Sequence, residues 1–225
     1  MIGWHILAYL SICVVASLLG SISSAVIVSR KLFHQDIREY GSGNAGLTNT
    51  LRVYGGKAAL LTLIGDMAKA AGGVWFAKGL MHFAFGYTPE DPAYLWAGCL
   101  GAYFVIAGHI KPLWFEFRGG KGVLTTVASW LFIDWRIAAI CFVLFVIVVS
   151  TTKYVSLGSV LGMVCFFVCT LIFGLLGAYA SLWPPLIFSA VISSTSIFMH
   201  RSNIVRLING TENKLGQRSK EKAEM

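Results

Sequence analysis

Charged residues are scarce in this chain. Asp, Glu, Lys and Arg together make up only 12% of its 225 residues, whereas hydrophobic residues make up 56%. Soluble globular domains carry about 25% charged residues. The composition therefore excludes an ordinary water-soluble domain and indicates an integral membrane protein, for which the bilayer is the solvent.

Acidic residues are scarcer than basic ones: the chain has 10 Asp and Glu and 18 Lys and Arg, which gives a net charge of +8. In a membrane protein this excess indicates cytoplasmic loops beside anionic lipid, so membrane lipid is the expected partner and nucleic acid is not. No Cys-x-x-Cys pair occurs, and all the cysteines lie in apolar runs. We therefore expect no disulfide framework, no metal site and no cofactor. The five cysteines are Cys13, Cys99, Cys141, Cys165 and Cys169.

The N-terminus lacks the basic region and the small-residue cleavage site of a signal peptide, so we interpret the apolar run from Trp4 to Val28 as a retained first span. Seven apolar stretches indicate an all-α membrane protein. Two of them are short and are separated by Asp134, Trp135 and Arg136, so that they form either a helical hairpin or one merged span. The seven stretches cover residues 4–28, 57–80, 92–110, 122–133, 137–152, 154–176 and 181–199 approximately.

The distribution of Lys and Arg predicts the topology. Residues 30–57 carry five basic residues and residues 81–91 carry none, so the first loop is expected to be cytoplasmic. Two crossings between residues 122 and 152 then also place residues 111–121 and the basic tail from about residue 212 in the cytoplasm. We predict a single membrane domain over residues 1–225 with about seven transmembrane helices, two of them short. Its N-terminus lies outside and its C-terminus is cytoplasmic.

There are two alternatives to this count, of which one is disfavoured and one stays open. A single crossing between residues 122 and 152 would turn the basic tail outward, against the positive-inside rule. Five spans with re-entrant segments stay open. Within the first loop, Phe33, Ile37 and Tyr40 have the spacing of a short interfacial helix over residues 30–40, and an irregular loop is the other interpretation.

The first polar segment, residues 41–52, reads GSGNAGLTNTLR. Glycines allow backbone N–H groups to turn inward, and side-chain donors with one guanidinium complete a cradle for an anion. The other interpretation is a glycine-rich turn before a helix. The candidate residues of this cradle are Gly41, Ser42, Gly43, Asn44, Gly46, Thr48, Asn49 and Arg52.

The second polar segment, residues 108–123, reads GHIKPLWFEFRGGKGV. Three glycines and a lysine directly before an apolar run are typical of a helix N-terminus that binds phosphate, namely Gly119, Gly120, Lys121 and Gly122. It is not a Walker A loop, because Phe115 stands where the first glycine is needed. Basic residues that only set the topology are the other interpretation.

The third polar segment, residues 200–212, reads HRSNIVRLINGTE and follows the last apolar stretch. On a helix, His200 and Asn203 share a face with Arg206 or Leu207. A single His at a membrane boundary is more often a capping residue, but here the topology places it beside the other two segments. Asp66 and Lys69 lie three residues apart within the second apolar stretch, where they form either a structural ion pair or a functional one.

These three segments resemble the motifs of the bacterial acyl-phosphate:glycerol-3-phosphate acyltransferase family, which look like GSGN.G.TN..R, GH..P....GGKG and HR.NI.RL..GTE. The resemblance covers nearly the whole chain and departs from the family at five positions. It implies an enzyme of phospholipid synthesis in the bacterial cell membrane, with its active site on the cytoplasmic face. The departures are Ala45, Ile110, Lys111, Leu113 and Ser202.

The resemblance further implies the substrates and the site. A fatty acyl group is transferred from long-chain acyl phosphate to the 1-hydroxyl of sn-glycerol 3-phosphate, which gives lysophosphatidic acid. Glycines 119, 120 and 122 would hold phosphate. The proton acceptor is either His200 or a phosphate oxygen of a substrate, and an organic-anion or phosphate transporter is the alternative function. The implied catalytic residues are Ser42, Arg52, Lys121, His200 and Asn203.

Cysteine labelling tests the predicted topology. In a variant that lacks the native cysteines, Gly216→Cys should resist a membrane-impermeant maleimide added to intact cells, because the tail is expected in the cytoplasm. The same position should react after the membrane is permeabilised. Strong labelling of intact cells would refute the seven-span count.

Overall fold

The computed structural model describes residues 2–216, which form ten α-helices and no β-strand. Two short 3-10 turns, Ile37–Glu39 and Leu113–Phe115, lie in the first and second polar segments or directly beside them. The helices are α1 (Ile2–Gly20), α2 (Ser24–Phe33), α3 (Leu47–Tyr54), α4 (Gly56–Phe85), α5 (Pro92–Ile110), α6 (Val123–Trp130), α7 (Trp135–Thr152), α8 (Val155–Leu175), α9 (Trp183–Met199) and α10 (Arg201–Ile208).

The first apolar stretch is broken in the middle. Helix α1 ends at Gly20 and α2 begins at Ser24, so that the predicted continuous span becomes two helices within one apolar run from Ile2 to Phe33. The backbone carbonyl of Ile22, freed by the break, accepts a hydrogen bond of 2.8 Å from Lys69 Nζ. A buried carbonyl in a membrane must find such a partner, and a lysine on α4 provides it.

The predicted interfacial helix over residues 30–40 does not form. Its first residues are the end of α2, His34 adopts a left-handed conformation with φ of 54°, and only the turn Ile37–Glu39 follows. The Asp36 side chain caps that turn by accepting from the Arg38 N–H at 3.0 Å. The apolar spacing of Phe33, Ile37 and Tyr40 was therefore a misleading signal, because an N-cap and a left-handed residue interrupt the helix between them.

Small residues bring α1 and α5 into close contact. A Cβ atom on Gly20 would overlap the backbone of Val105, and one on Gly108 would overlap the carbonyl of Ser17. Backbones that approach this closely pack through van der Waals contact, which drives helix association in lipid. The contact fixes the end of α5, from which the second polar segment leaves.

Residues 122–152 form a hairpin of two helices and do not merge into one. Helix α6 has only eight residues and so a length of about 12 Å, less than half of a hydrocarbon core of about 30 Å. The turn to α7 is held by Lys78 Nζ, which donates to the Phe132 carbonyl, and by Tyr179, whose hydroxyl donates to Asp134 Oδ2 at 3.1 Å. The α6–α7 turn and the α8–α9 loop therefore lie at the same end of the bundle.

Five of the described helical stretches are long and apolar enough to cross a membrane, and α9 adds a shorter apolar helix of 17 residues. His5 near the N-terminus contacts Tyr87 of the α4–α5 loop at 2.9 Å. At the C-terminal side, the Leu215 N–H donates to the Lys153 carbonyl of the α7–α8 turn at 2.7 Å. An all-helical membrane fold is thus established, while the count of seven spans and the orientation of the termini stay predictions.

Candidate active site

The three polar segments meet at one end of the bundle. Lys121 Nζ donates to Asn203 Oδ1, and the Ser196 hydroxyl on α9 donates to the Lys121 carbonyl at 2.9 Å. The first segment is joined through Arg38, whose guanidinium donates to the Phe115 carbonyl at 2.7 Å. Lys121 and Asn203 are 82 residues apart in the sequence, and Arg38 and Phe115 are 77 residues apart.

The segments surround a cavity of about 320 Å³. One part of its wall is polar and comes from all three segments. The other part is apolar and comes from three helices: Val123, Leu124 and Val127 of α6; Cys141, Phe142 and Phe145 of α7; Val155, Gly158, Gly162 and Met163 of α8. A single cavity can therefore hold both a polar head and a hydrocarbon chain.

Ten of the fourteen predicted site residues line this cavity. Four do not, namely Gly41, Gly43, Gly119 and Gly120. The ten are Ser42, Asn44, Gly46, Thr48, Asn49, Arg52, Lys121, Gly122, His200 and Asn203.

Asn49 holds the first segment in shape. Its Oδ1 accepts from the Ser42 N–H at 2.9 Å, and its Nδ2 donates to the carbonyls of Ile37 at 3.2 Å and Tyr40 at 2.9 Å. Both amide donors are thus used within the protein. Asn49 was predicted to bind substrate, but its hydrogen bonds position the loop that carries Ser42. Gly41, with φ of 63°, leaves the space in which the Asn49 Oδ1 lies.

Two helix N-termini open onto the cavity. Helix α3 begins after Gly46 and α6 after Gly122, and neither has a side-chain hydrogen bond at its N-cap. Gly46, Leu47 and Thr48 line the cavity from one side, and Gly122 lines it from the other. Gly122 has φ of 86°, a conformation that favours glycine. The free N–H groups of a first turn attract anions, so this arrangement suits phosphate.

Gly119 and Gly120 have a different role from the predicted one. The Gly119 N–H donates to the Ile110 carbonyl at 3.2 Å, and the Gly120 N–H donates to the His109 carbonyl at 3.1 Å. These two N–H groups are therefore not available to a phosphate. The glycines fold the loop back onto the end of α5, and among residues 119–122 only Lys121 and Gly122 line the cavity.

Positive charge dominates the polar wall. Lys121, Arg52 and Arg206 line it together with Glu212, whose Oε2 accepts from Arg206 Nε at 2.7 Å, while Asp66, the other carboxylate of the lining, pairs with Lys69. Within residues 2–216 Arg52 forms no ion pair. Burial, and then the neighbouring charges of Arg206 and Arg52, lower the pKa of Lys121 to about 8 in spite of Glu212. Because the charge of Asp66 is paired with Lys69, the three cations outnumber the remaining carboxylate of the lining, Glu212, and form a site for an anion.

His200 is buried as a neutral imidazole. Its Nδ1 lies 2.8 Å from the Ser196 carbonyl, and because a carbonyl only accepts, Nδ1 carries the proton. Burial lowers the pKa of His200 to about 4, and the charge of Lys121 acts in the same direction, against the hydrogen bond to Ser196. Nε2 is therefore unprotonated at neutral pH and can accept a proton from a group in the cavity.

Several cavity residues were not predicted as site residues. Glu212 Oε1 accepts from Asn203 Nδ2 at 2.8 Å. Glu212 ends the third motif, in the letters GTE, so the motif could have indicated it. His109 likewise belongs to the second motif. Ser156 on α8 has a buried hydroxyl without a hydrogen-bond partner among residues 2–216, and no motif marks it.

Asp66 and Lys69 form the ion pair that their spacing allowed, at 2.9 Å, and both are buried. The Ser24 hydroxyl also donates to Asp66 Oδ1 at 3.0 Å. Asp66 lines the cavity, so the face that carries the pair points toward the site and away from lipid.

The chain matches known proteins over nearly its whole length. The family model for glycerol-3-phosphate acyltransferases matches residues 10–210. A glycerol-3-phosphate acyltransferase of Clostridioides difficile is 41% identical over 214 residues, which cover 95% of this chain and 98% of that protein. Another from Paraburkholderia xenovorans is 38% identical over 219 residues, with 94% and 92% covered.

Two solved structures have the same fold. Both are crystal structures of PlsY (YgiH), an integral membrane glycerol 3-phosphate acyltransferase. Its glycerol 3-phosphate form aligns with a TM-score of 0.78 and 29% identity over 92% of this chain and 96% of that one. Its lysophosphatidic acid form aligns with a TM-score of 0.75 and 27% identity over 92% and 95%.

The lowered pKa of Lys121 predicts how anion binding depends on pH. Binding of a phosphate monoester requires the protonated amine, so its affinity should fall by up to about tenfold per pH unit above about pH 8. Calorimetric titration of the purified protein from about pH 7 to about pH 9.5 measures this. Lys121→Arg keeps its charge over that range and should remove the decline. An unchanged decline in Lys121→Arg would show that another group titrates.

Proposed function

Because this chain belongs to the glycerol-3-phosphate acyltransferase family, we propose that it transfers a long-chain acyl group from acyl phosphate to the 1-hydroxyl of sn-glycerol 3-phosphate. The products are lysophosphatidic acid and inorganic phosphate. The observation that carries the proposal is the single cavity that joins a cationic polar wall to an apolar slot. Both substrates carry phosphate and one carries a hydrocarbon chain, so each part of the cavity matches a part of a substrate.

The polar wall binds the two phosphates. Lys121, Arg52 and Arg206 supply the positive charge, and the N-termini of α3 and α6 supply backbone donors. The acyl chain lies in the slot between α6, α7 and α8, which buries it away from water. Holding both substrates in one cavity brings the hydroxyl of one to the carbonyl carbon of the other, which removes much of the entropic cost of the reaction.

The chemical step needs a proton acceptor and stabilisation of charge. The 1-hydroxyl oxygen attacks the acyl carbon, the bond from that carbon to the phosphate oxygen breaks, and phosphate leaves with both bonding electrons. We assign the hydroxyl proton to His200 Nε2, from which it passes to the departing phosphate. Burial lowers the pKa of His200 to about 4, and the negative charge of two bound phosphates raises it by stabilising the imidazolium.

Ser42 and Arg52 are assigned to the acyl phosphate, because both line the polar wall and Arg52 has no ion-pair partner within residues 2–216. Asn203, held by Glu212 and by Lys121, orients the lysine. The site is placed at the cytoplasmic face of the bacterial cell membrane. This placement is supported by the basic character of the segments that build the site.

The choice of acyl donor tests the proposed function. Purified protein in detergent should form radiolabelled lysophosphatidic acid from palmitoyl phosphate and glycerol 3-phosphate, and it should not use palmitoyl-CoA. Activity without a second compartment separates an acyltransferase from a transporter. A metal chelator should leave the rate unchanged, since no metal-ligand spacing occurs in the sequence. Equal rates with palmitoyl-CoA, or loss of activity that a divalent ion restores, would contradict this prediction.

Substitution of the proposed catalytic groups should lower the turnover number even at saturating substrate. We expect Ser42→Ala, Arg52→Ala and His200→Ala each to reduce kcat by about 30-fold to 1000-fold, by analogy with the loss of one oxyanion donor. His82→Ala is the control, because His82 lies exposed at the far end of α4 and should retain the normal rate. If His200→Ala raises only KM, His200 binds substrate and does not accept the proton.

A further inference from the structure

A buried polar network lies beneath the second motif. Asp66, Lys69 and His109 are each no more than 6% exposed, and they connect α4 with α5. Lys69 Nζ lies 2.9 Å from Asp66 Oδ1, 2.9 Å from His109 Nδ1 and 2.8 Å from the Ile22 carbonyl. The proton transfer proposed above uses none of these groups, although Asp66 and His109 both line the cavity.

The three contacts of Lys69 determine which ring nitrogen of His109 carries the proton. An ammonium group has three N–H bonds and Lys69 has three partners, so one N–H bond points at His109 Nδ1. Nδ1 must then accept, and the neutral ring carries its proton on Nε2. The position of the ring and its tautomer are therefore both set by Lys69, much as a partner of a metal-binding histidine sets its ring.

The edge of the imidazole occupies the space beside Gly120. A Cβ atom added to Gly120 would overlap His109 Nε2, lie 2.7 Å from His109 Cε1 and come within 3.1 Å of the Ala45 carbonyl oxygen, so the imidazole is its closest neighbour. At Gly119 the same addition would instead meet backbone oxygens of His109 and Ile110 and the ring of Pro112. The two neighbouring glycines thus differ, because only Gly120 packs against the His109 side chain.

Gly120 directly precedes Lys121, whose carbonyl is held by Ser196 and whose amine faces the cavity. A shift of the backbone at Gly120 is therefore passed to the proposed phosphate-binding amine. We propose that His109 is a positioning residue of the phosphate site: Lys69 holds its imidazole, the imidazole sets the place of Gly120, and Gly120 sets the place of Lys121. The kinetic part of this inference rests on the proposed function.

A double-mutant cycle tests this chain of contacts. Gly120→Ala places a methyl group where the ring edge lies, so KM for glycerol 3-phosphate should rise about tenfold while kcat changes less than about threefold. His109→Asn retains an oxygen that accepts from Lys69 but lacks the Nε2–Cε1 edge. In that background Gly120→Ala should raise KM by less than about twofold.

Gly119→Ala is the matched control. Its methyl group meets backbone atoms and not the imidazole, so His109→Asn should not relieve its effect. If His109→Asn does not fold, His109→Ala removes the same edge and replaces it in the cycle. An equal rise of KM in both backgrounds overturns the proposal. So does a Gly120→Ala protein whose unfolding temperature falls while its KM is unchanged, because His109 would then serve stability alone.

A measurement without substrate separates this inference from the proposed function. The rate at which an amine-reactive reagent modifies Lys121, followed by mass spectrometry, reports the surroundings of its amine. Gly120→Ala should change that rate at least about threefold with His109 present and less than about 1.5-fold in His109→Asn, whereas the exposed Lys57 should react equally in all variants. Failure of acyl transfer with this pattern intact would refute the function only. Equal effects in both backgrounds would refute the role of His109.

Discussion

The site depends on the ion pair and the hydrogen bonds that the ammonium group of Lys69 forms. It satisfies the Ile22 carbonyl at the break between α1 and α2, pairs with Asp66 on its own helix, and fixes His109 at the end of α5. An unpaired charge or carbonyl in this interior would cost several kcal/mol. One residue therefore stabilises the break in the first span and the start of the second motif together.

Close helix contact and one short helix build the cavity from this base. Gly20 and Gly108 allow α1 and α5 to touch, so the loop after α5 starts from a fixed point. Helix α6 then serves both parts of the cavity. Its N-terminus faces the polar wall, and its side chains Val123, Leu124 and Val127 line the apolar slot. One eight-residue helix thereby borders both the polar and the apolar part of the cavity.

The sequence predicted which residues line the cavity better than it predicted the contacts that each of them makes. Ser42, Arg52, Lys121, His200 and Asn203 all line the cavity, as the motifs indicated. Asn49 was expected to bind substrate, and Gly119 and Gly120 were expected to hold phosphate, but in the structure their N–H groups donate to backbone carbonyls of the protein. A motif shows which residues belong to a site, whereas the partner of each N–H group depends on atoms far away in the sequence. Glu212 was not predicted as a site residue. In the structure it accepts hydrogen bonds from Asn203 and Arg206.

The sequence by itself determined that this protein lies in a membrane, that its fold is all-α, that residues 122–152 can form a helical hairpin, and which three segments are polar. These follow from composition and from local patterns of hydrophobicity and charge, which act along the chain. Only the tertiary structure decided that α1 ends at Gly20, that the His109 imidazole lies against Gly120, and that His200 Nδ1 carries its proton. Each of these depends on a contact between separate helices or on burial, and both arise only when the helices pack.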